Sequence, residues 1–165
     1  MKERYNKIFG SHLPLLSKVM NNTSGPVLEL GTGMFSTPFL HWLCFDRRRF
    51  LVSYENDREF WGKYRLFQNT RHRIRFVEKW EDAKIENINW SVVLVDQHPA
   101  RSRKEMIKRL VNIADFIVIH DTEPENNRAY HYEEIWPLFK FRCDDKRTKP
   151  NTSVVSNLGD FTWMI

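Results

Sequence analysis

The chain has 165 residues, a formal net charge of +5 and an isoelectric point near 9.3. Its 41% hydrophobic and 28% charged residues exclude a disordered chain and predict a single domain over residues 1–165 with a proper core. No stretch approaches the roughly 20 apolar residues of a membrane span. Residues 1–7 carry no apolar signal core, so we expect a cytoplasmic protein without a membrane partner.

Helices and strands alternate along the first two thirds of the chain. In chain order the patterns predict a helix at 10–20 with Ser11 as its N-cap, a strand at 27–30, a helix at 38–44, a strand at 50–54, a helix at 57–68, strands at 74–77 and 90–95, a helix at 102–112 and a strand at 116–119. This alternation is typical of an α/β, doubly wound, mostly parallel sheet.

The last part of the chain follows a different pattern. A short helix is predicted at 132–139, limited by Pro137, and two strands are predicted at 139–143 and 152–156. The polar turn between these strands is too short for a crossover helix, so we expect a C-terminal antiparallel hairpin. The full prediction is a seven-stranded sheet in a core of residues 25–158, preceded by an N-terminal helical segment at 1–24.

A glycine-containing turn follows the first predicted strand. The strand ends in Glu29-Leu30, and Gly31-Thr32-Gly33 leads directly towards the next helix. A strand, a tight turn and a helix start form the place where α/β sheets bind nucleotide-like ligands. Because glycine has no Cβ, Gly31 and Gly33 let the backbone approach a ligand closely. The turn predicts a nucleotide-type site and leaves the ligand open.

Acidic residues stand at the ends of further predicted strands. Glu55 follows the second strand, Asp96 the fourth, and His120-Asp121 the fifth. The carboxyl ends of parallel strands line one crevice, so we expect these side chains to converge. Glu55 lies 22 residues after Gly33, close to the spacing at which a carboxylate accepts hydrogen bonds from ribose hydroxyls. The alternative for Glu55 is a charge that stabilises the start of the next helix.

This pattern resembles that of the class I S-adenosylmethionine-dependent methyltransferases. Their acid-and-glycine motif is matched by Glu29-Leu30-Gly31-Thr32-Gly33, and their acids after the second and fourth strands by Glu55 and Asp96. The third glycine of the fuller motif is absent, with Phe35-Ser36 in its place. The resemblance covers about residues 25–158 and implies the Rossmann-like methyltransferase fold, a transferase activity and S-adenosylmethionine as the small-molecule cofactor.

The resemblance also implies roles for single residues. The Gly31–Gly33 turn would pass under the methionine and ribose portion of the cofactor. Glu29 would fix that turn or reach the methionine amino group, and Glu55 would bind the ribose. Trp80 or Asp82 would meet the adenine, with core packing as an equally good alternative for the indole.

Two loops are expected to act on the acceptor. Asp96-Gln97-His98-Pro99 and His120-Asp121-Thr122-Glu123 resemble a methyltransferase branch in which acids after strands four and five bind a divalent cation such as Mg²⁺. Asp96 and Asp121 are then the metal ligands, and His98 or His120 the general base. Asp96 is also a catalytic and a cofactor-binding candidate. The alternative is that the acids cap helices or loops and the histidines hydrogen-bond locally.

The sequence therefore predicts an S-adenosylmethionine-dependent methyltransferase, with oxygen favoured as the acceptor atom of a small or polymeric substrate. The Asn/Asp-Pro-Pro-aromatic signature of base amino methylation is absent. One alternative is an NAD-dependent oxidoreductase that uses the same turn. Another is a non-catalytic nucleotide- or RNA-binding module that uses the scattered basic residues.

Overall fold

A computed structural model describes residues 9–164 of the chain. The fold is built around one seven-stranded sheet. The sheet has the order β3-β2-β1-β4-β5-β7-β6. The elements are, in chain order, α1 (Leu13–Asn21), β1 (Val27–Leu30), α2 (Ser36–Asp46), β2 (Leu51–Glu55), α3 (Arg58–Tyr64), β3 (His72–Phe76), β4 (Trp90–Val95), α4 (Ser102–Leu110), β5 (Ala114–His120), α5 (Asn127–Tyr130), β6 (Phe141–Asp145) and β7 (Thr152–Ser156).

Strands β1 to β5 run parallel, and the last two strands run against them. At the centre, β1 pairs with both β2 and β4, so that Val27 lies opposite Leu51 on one side and Val92 on the other. The hairpin strand β7 pairs antiparallel with both β5 and β6. The predicted α/β fold, with a mostly parallel seven-stranded sheet and a C-terminal antiparallel hairpin, is confirmed.

The core lies on both faces of the sheet, because side chains alternate between faces along each strand. One face packs Leu28 and Leu30 with Met106 and Ile107 of α4. The other packs Val27 with residues of α1 and α2, including Leu16 and Leu40. All four residues of β1 and all six of β4 are buried, which explains their nearly uninterrupted apolar sequences. With both faces covered, the carboxyl ends of the strands remain as the open edge.

Helix α1 begins differently from the prediction. His12 occupies the N-cap position and makes no capping side-chain hydrogen bond, while a proline stands in the first turn, where no backbone donor is needed. Ser11 is not a cap: its side chain is buried, contacts His120 Nε2 at 2.9 Å and donates a hydrogen bond to the Pro150 carbonyl at 2.6 Å. The segment before α1 is therefore tied to the open edge of the sheet.

Several helix boundaries also differ. Helix α3 ends at Tyr64 and is followed by one 3₁₀ turn, so the predicted single helix at 57–68 is too long. The predicted helix at 132–139 is replaced by two 3₁₀ turns, Tyr132–Glu134 and Trp136–Leu138, because Pro137 lacks the backbone donor that a continuing helix needs. Helix α5 was not predicted from the sequence.

Residues 1–7, on which the prediction of a cytoplasmic protein rests, lie outside the described residues. Within residues 9–164, no helix is both long and apolar enough to cross a bilayer.

Candidate active site

The glycine turn joins β1 to α2 at the open edge of the sheet. Gly31 has φ +90°, and a Cβ built on it would lie 2.6 Å from the Gln97 Cα. The glycine is therefore required by the close approach of the chain after β4 as well as by its own backbone conformation. A Cβ on Gly33 would lie 3.0 Å from Ser36 Oγ. The first glycine is thus required by the packing of the turn, whatever ligand the turn binds.

Glu29 stabilises this turn through buried hydrogen bonds. Its carboxyl is completely buried and accepts hydrogen bonds from Thr37 Oγ1 at 2.9 Å and Ser53 Oγ at 2.5 Å. The Thr37 hydroxyl in turn accepts the Gly33 backbone N–H at 2.9 Å. Burial raises the pKa of Glu29 to about 7, although the hydroxyl donors oppose the shift. Of the two predicted roles for Glu29, this geometry fits fixing the turn, because a side chain with no exposed surface does not reach a ligand.

Glu55 lies at the end of β2 beside the turn, as the sequence suggested. One carboxylate oxygen accepts from both the backbone N–H and the hydroxyl of Thr32, at 2.8 Å each. The other accepts the backbone N–H groups of Asn56 and Asp57 at 2.8 and 2.9 Å. The start of α3 is stabilised by Asp57 and not by Glu55. The Asp57 side chain accepts the N–H groups of Glu59 and Phe60.

Two cavities adjoin at this edge and share the side chains of Thr32, Phe60 and Asp96. One, which we call the polar cavity after its charged and amide side chains, has a volume of about 380 Å³. Its lining is completed by Gly31, Glu55, Asn56, Asp57 and His98. The apolar cavity has a volume of about 440 Å³, and Phe9, His12, Gly33, Met34, Phe35, Ser36 and His120 complete its lining. The strand ends thus line two adjoining cavities at this edge of the sheet.

Asp96 stands where the two cavities meet. One of its carboxylate oxygens contacts His120 Nδ1 at 3.1 Å and accepts a hydrogen bond from Arg103 Nη2 at 2.9 Å. Burial by itself would raise the pKa of Asp96, but the hydrogen bond with His120 and the charge of Arg103 lower it below its usual value. The Asp96 carboxyl is therefore ionised at neutral pH.

Arg103 is a buried cation that sequence reasoning missed. Its guanidinium pairs with Asp96 and, at 3.2 Å, with Asp121, and donates to the backbone carbonyls of Gln97 and His120. Its position on α4, within a stretch of basic residues, gave it the sequence signature of a solvated helix face. Only the tertiary structure shows that Arg103 is buried and paired with two acids.

The predicted metal pair, Asp96 and Asp121, does not fit a shared hard cation. Arg103 already supplies positive charge to both carboxylates, and Asp121 Oδ2 also accepts the Tyr130 hydroxyl at 3.1 Å. Asp121 lines neither of the two cavities. A divalent cation between these acids would have to displace a guanidinium that is only 5% exposed.

Trp80 does not occupy the predicted position against adenine. The residue is 3% exposed and belongs to the core cluster on the α4 side of the sheet. Its indole N–H donates to the His98 carbonyl at 2.8 Å, which holds the loop after β4. The alternative of core packing is therefore correct. Asp82, the other residue considered for the adenine, is exposed and does not line the polar cavity.

The three histidines of the site have different surroundings. His98 is exposed and lines the polar cavity, whereas His120 lies in the apolar cavity, buried, with Ser11 and Asp96 on its two ring nitrogens. His12, which the sequence gave no reason to select, lies beside His120 with ring centroids 4.8 Å apart. Burial and the neighbouring His120 lower the pKa of His12 to about 4, so its ring is neutral at physiological pH.

Comparisons with known proteins identify the fold of the chain but not its activity. No family model matches the sequence, and no curated protein matches it. Among solved structures, an O-methyltransferase from Bacillus cereus in complex with SAH (S-adenosylhomocysteine) superposes with a TM-score of 0.61 at 15% identity, over 92% of this chain and 83% of the other. A methyltransferase from Pyrococcus furiosus gives 0.60 at 11% identity, over 96% and 89%.

An rRNA methylase from Streptococcus thermophilus gives a TM-score of 0.59 at 12% identity, over 96% of this chain and 99% of that protein. The chain thus has the Rossmann-like fold of the class I methyltransferases over nearly its whole length. Identities of 11–15% show a shared fold and do not by themselves show a shared reaction.

Proposed function

We propose that the protein is an S-adenosylmethionine-dependent methyltransferase that transfers the methyl group to an oxygen atom. The observation that carries this proposal is the pair of cavities that meet at Asp96, one polar and one apolar. Methyl transfer requires two reactants held end to end, and two adjoining compartments at the open edge of the sheet suit that requirement. Structural neighbours described as methyltransferases, one of them in complex with SAH, support the same choice.

The polar cavity is the proposed cofactor site. Glu55 offers a carboxylate of the kind that accepts hydrogen bonds from a ribose diol. Its four internal hydrogen bonds include one from a side chain that can rotate, the Thr32 hydroxyl, whereas the other three come from the backbone. Cofactor binding would exchange the Thr32 hydroxyl for a ribose hydroxyl and leave the backbone contacts in place.

The apolar cavity is the proposed acceptor site. In the reaction, an acceptor oxygen attacks the sulfonium methyl carbon; the C–O bond forms as the C–S bond breaks, and the sulfur retains the electron pair as a thioether. The acceptor's hydroxyl proton passes to a ring nitrogen of His98 or His120, the two candidate general bases that line these cavities. The protein's main contribution is to align the two reactants and exclude water, because the sulfonium already makes the methyl group electrophilic.

Asp96, His98 and His120 remain the proposed catalytic residues. Asp96 lines both cavities, His98 lines the polar one and His120 the apolar one. Each is therefore near the junction at which the methyl group would pass.

The NAD-dependent alternative is disfavoured by the order of the strands. Dinucleotide-binding sheets of the usual order continue after the fifth strand with a parallel sixth strand. Here the antiparallel β7 lies between β5 and β6, and the third small residue expected after the glycine turn is replaced by Phe35-Ser36. A polymeric acceptor such as RNA remains within the proposal, in keeping with the rRNA methylase among the structural neighbours.

Calorimetry with S-adenosylmethionine, S-adenosylhomocysteine and NAD tests the proposal directly. We expect both sulfur cofactors to bind with one site per chain and NAD to give no heat. Binding of NAD without either sulfur cofactor would refute the proposal. Binding of RNA alone, with a steep dependence on salt, would favour the non-catalytic module.

A substitution at Glu55 tests the position of the ribose. Glu55→Gln should weaken S-adenosylhomocysteine binding by roughly tenfold to 100-fold, because hydrogen bonds to charged groups contribute about 1.5–3 kcal/mol. Glu59→Gln, an exposed change on α3, is the matched control and should leave the affinity unchanged.

A 2′-deoxy analogue of S-adenosylhomocysteine distinguishes ligand binding from loop support. The wild type should prefer the ribose form, and Glu55→Gln should lose that preference. If the variant weakens both ligands equally, Glu55 only organises the turn through Thr32.

A further inference from the structure

His12 is a buried histidine whose ring nitrogens lack partners. The residue is 2% exposed, and among residues 9–164 neither Nδ1 nor Nε2 has a hydrogen-bond partner. A buried polar group without a partner costs free energy, so such a group in a native protein needs an explanation. His12 lines the apolar cavity, which indicates that its partner is something this cavity binds.

Two further metal-ligating side chains lie beside it. One ligand atom each from His12, Asp96 and His120 can be chosen so that all three lie within 4.8 Å of one another. The three residues come from the segment before α1, the end of β4 and the end of β5, so the sheet edge assembles them from distant parts of the chain. Two imidazoles and one carboxylate are a ligand set typical of first-row transition metals and leave coordination positions open.

The contacts around His120 resemble those around a metal-binding histidine. The hydroxyl hydrogen of Ser11 is used by the Pro150 carbonyl at 2.6 Å, so Ser11 Oγ is left to accept from His120 Nε2–H at 2.9 Å. That bond orients the ring and directs Nδ1 towards Asp96, 3.1 Å away, so a metal ion bound to both residues would take the place of the hydrogen bond between them. Metal-ligating histidines commonly donate their second ring N–H in this way.

Asp96 is supported in a similar manner. Arg103 donates to one carboxylate oxygen of Asp96 at 2.9 Å, as outer partners of ligating carboxylates do. The same guanidinium binds Asp121, which leaves that acid out of the cluster. The cluster is therefore different from the acidic pair that the sequence suggested.

We propose that His12, Asp96 and His120 bind a first-row transition-metal ion such as Zn²⁺. The ion would lie at the wall of the apolar cavity, where it could act as a Lewis acid towards an acceptor oxygen. Binding of the ion requires no methyl donor, so the proposal stands or falls independently of the methyltransferase assignment.

The experiment uses the metal-stripped full-length protein and Co²⁺ as a spectroscopic substitute for Zn²⁺. We expect one Co²⁺ per chain with visible d–d absorption of a four- or five-coordinate ion, and competition by Zn²⁺. His12→Ala should lower the affinity by at least about 100-fold, since losing a ligand costs more than losing an outer partner. His12→Gln, which keeps a polar side chain of similar size, should do the same if the imidazole is the ligand.

Two control variants locate the site. His98→Ala removes an exposed histidine of the neighbouring polar cavity, and Asp121→Asn removes the acid held by Arg103; both should retain the Co²⁺ spectrum and affinity. Thermal unfolding of each variant verifies folding, and S-adenosylhomocysteine binding to metal-free protein reports separately on the cofactor site. Unchanged Co²⁺ affinity in the folded His12 variants would overturn the proposal. So would a six-coordinate spectrum abolished by Asp121→Asn.

Discussion

Replacing Glu29 by glutamine should remove a pH dependence of stability that the buried carboxyl creates. Burial raises the pKa of Glu29 from 4.5 to about 7, so the folded protein holds a proton that the unfolded chain releases at pH 4.5. Between these pH values the folded state binds more protons than the unfolded state, and the free energy of unfolding falls as the pH rises. The distance from 4.5 to about 7 corresponds to about 3 kcal/mol.

The hydrogen bonds around Glu29 explain how the protonated carboxyl is accommodated. Ser53 Oγ lies 2.5 Å from Glu29 Oε2 and 2.8 Å from His72 Nε2. Burial and the neighbouring His41 lower the pKa of His72 to about 3, so its neutral ring can accept a hydrogen bond from Ser53. When Glu29 is protonated, the direction of its bond with Ser53 reverses, and Ser53 Oγ accepts a hydrogen bond from the carboxyl.

Urea unfolding of the wild type and Glu29→Gln, followed by circular dichroism from pH 4.5 to pH 8, measures the effect. The stability of the wild type relative to the variant should fall by about 3 kcal/mol between pH 4.5 and pH 7 and stay constant above. Groups that titrate in both proteins, such as His12 and His72, cancel in this difference. Glu81→Gln, an exposed change, should give no such trend. A difference that stays constant across the range would refute the reasoning.

Substitutions at three further positions test the construction of the site. Gly31→Ala should destabilise the protein by at least about 2 kcal/mol in urea, because φ is +90° and the Cβ would meet backbone; a neutral result would contradict the observed turn. Arg103→Met should cost about 3–5 kcal/mol by leaving the Asp96 charge uncompensated, and Arg103→Lys should rescue this only in part. Trp80→Phe should lose the bond to the His98 carbonyl yet keep S-adenosylhomocysteine affinity within about twofold; a large loss would restore the adenine-stacking role.

The sheet was predictable because its determinants are local or repetitive. The buried runs of β1 and β4 are apolar except for Glu29 and Ser91, and the short polar turn before β7 allowed only a hairpin. Helix ends were less predictable, because each depends on the conformation of one or two residues. Examples are Pro137 and the change to a 3₁₀ turn after Tyr64.

The site was predictable only where a residue's place in a strand fixes its position. Glu55, Asp96 and His120 stand at strand ends, and parallel strands bring their ends to one edge. Arg103 and His12 come from a helix and from the segment before one, and no spacing in the sequence relates them to a strand end. Whether Trp80 faces a ligand or the core likewise depends on tertiary packing, because an indole suits both.

The inward turn of Ser11 has a consequence for where this protein can be divided. The sequence suggested a boundary near residue 24 between a helical segment and the sheet core, yet Ser11 and His12 form part of the wall behind His120. A truncated chain that began at β1 would keep every strand and the whole polar cavity. It would also lose α1 and one wall of the apolar cavity. The same deletion would uncover the face of the sheet that Leu16 and Met20 of α1 bury, so the proposed acceptor site and the stability of the sheet depend on the same stretch of chain.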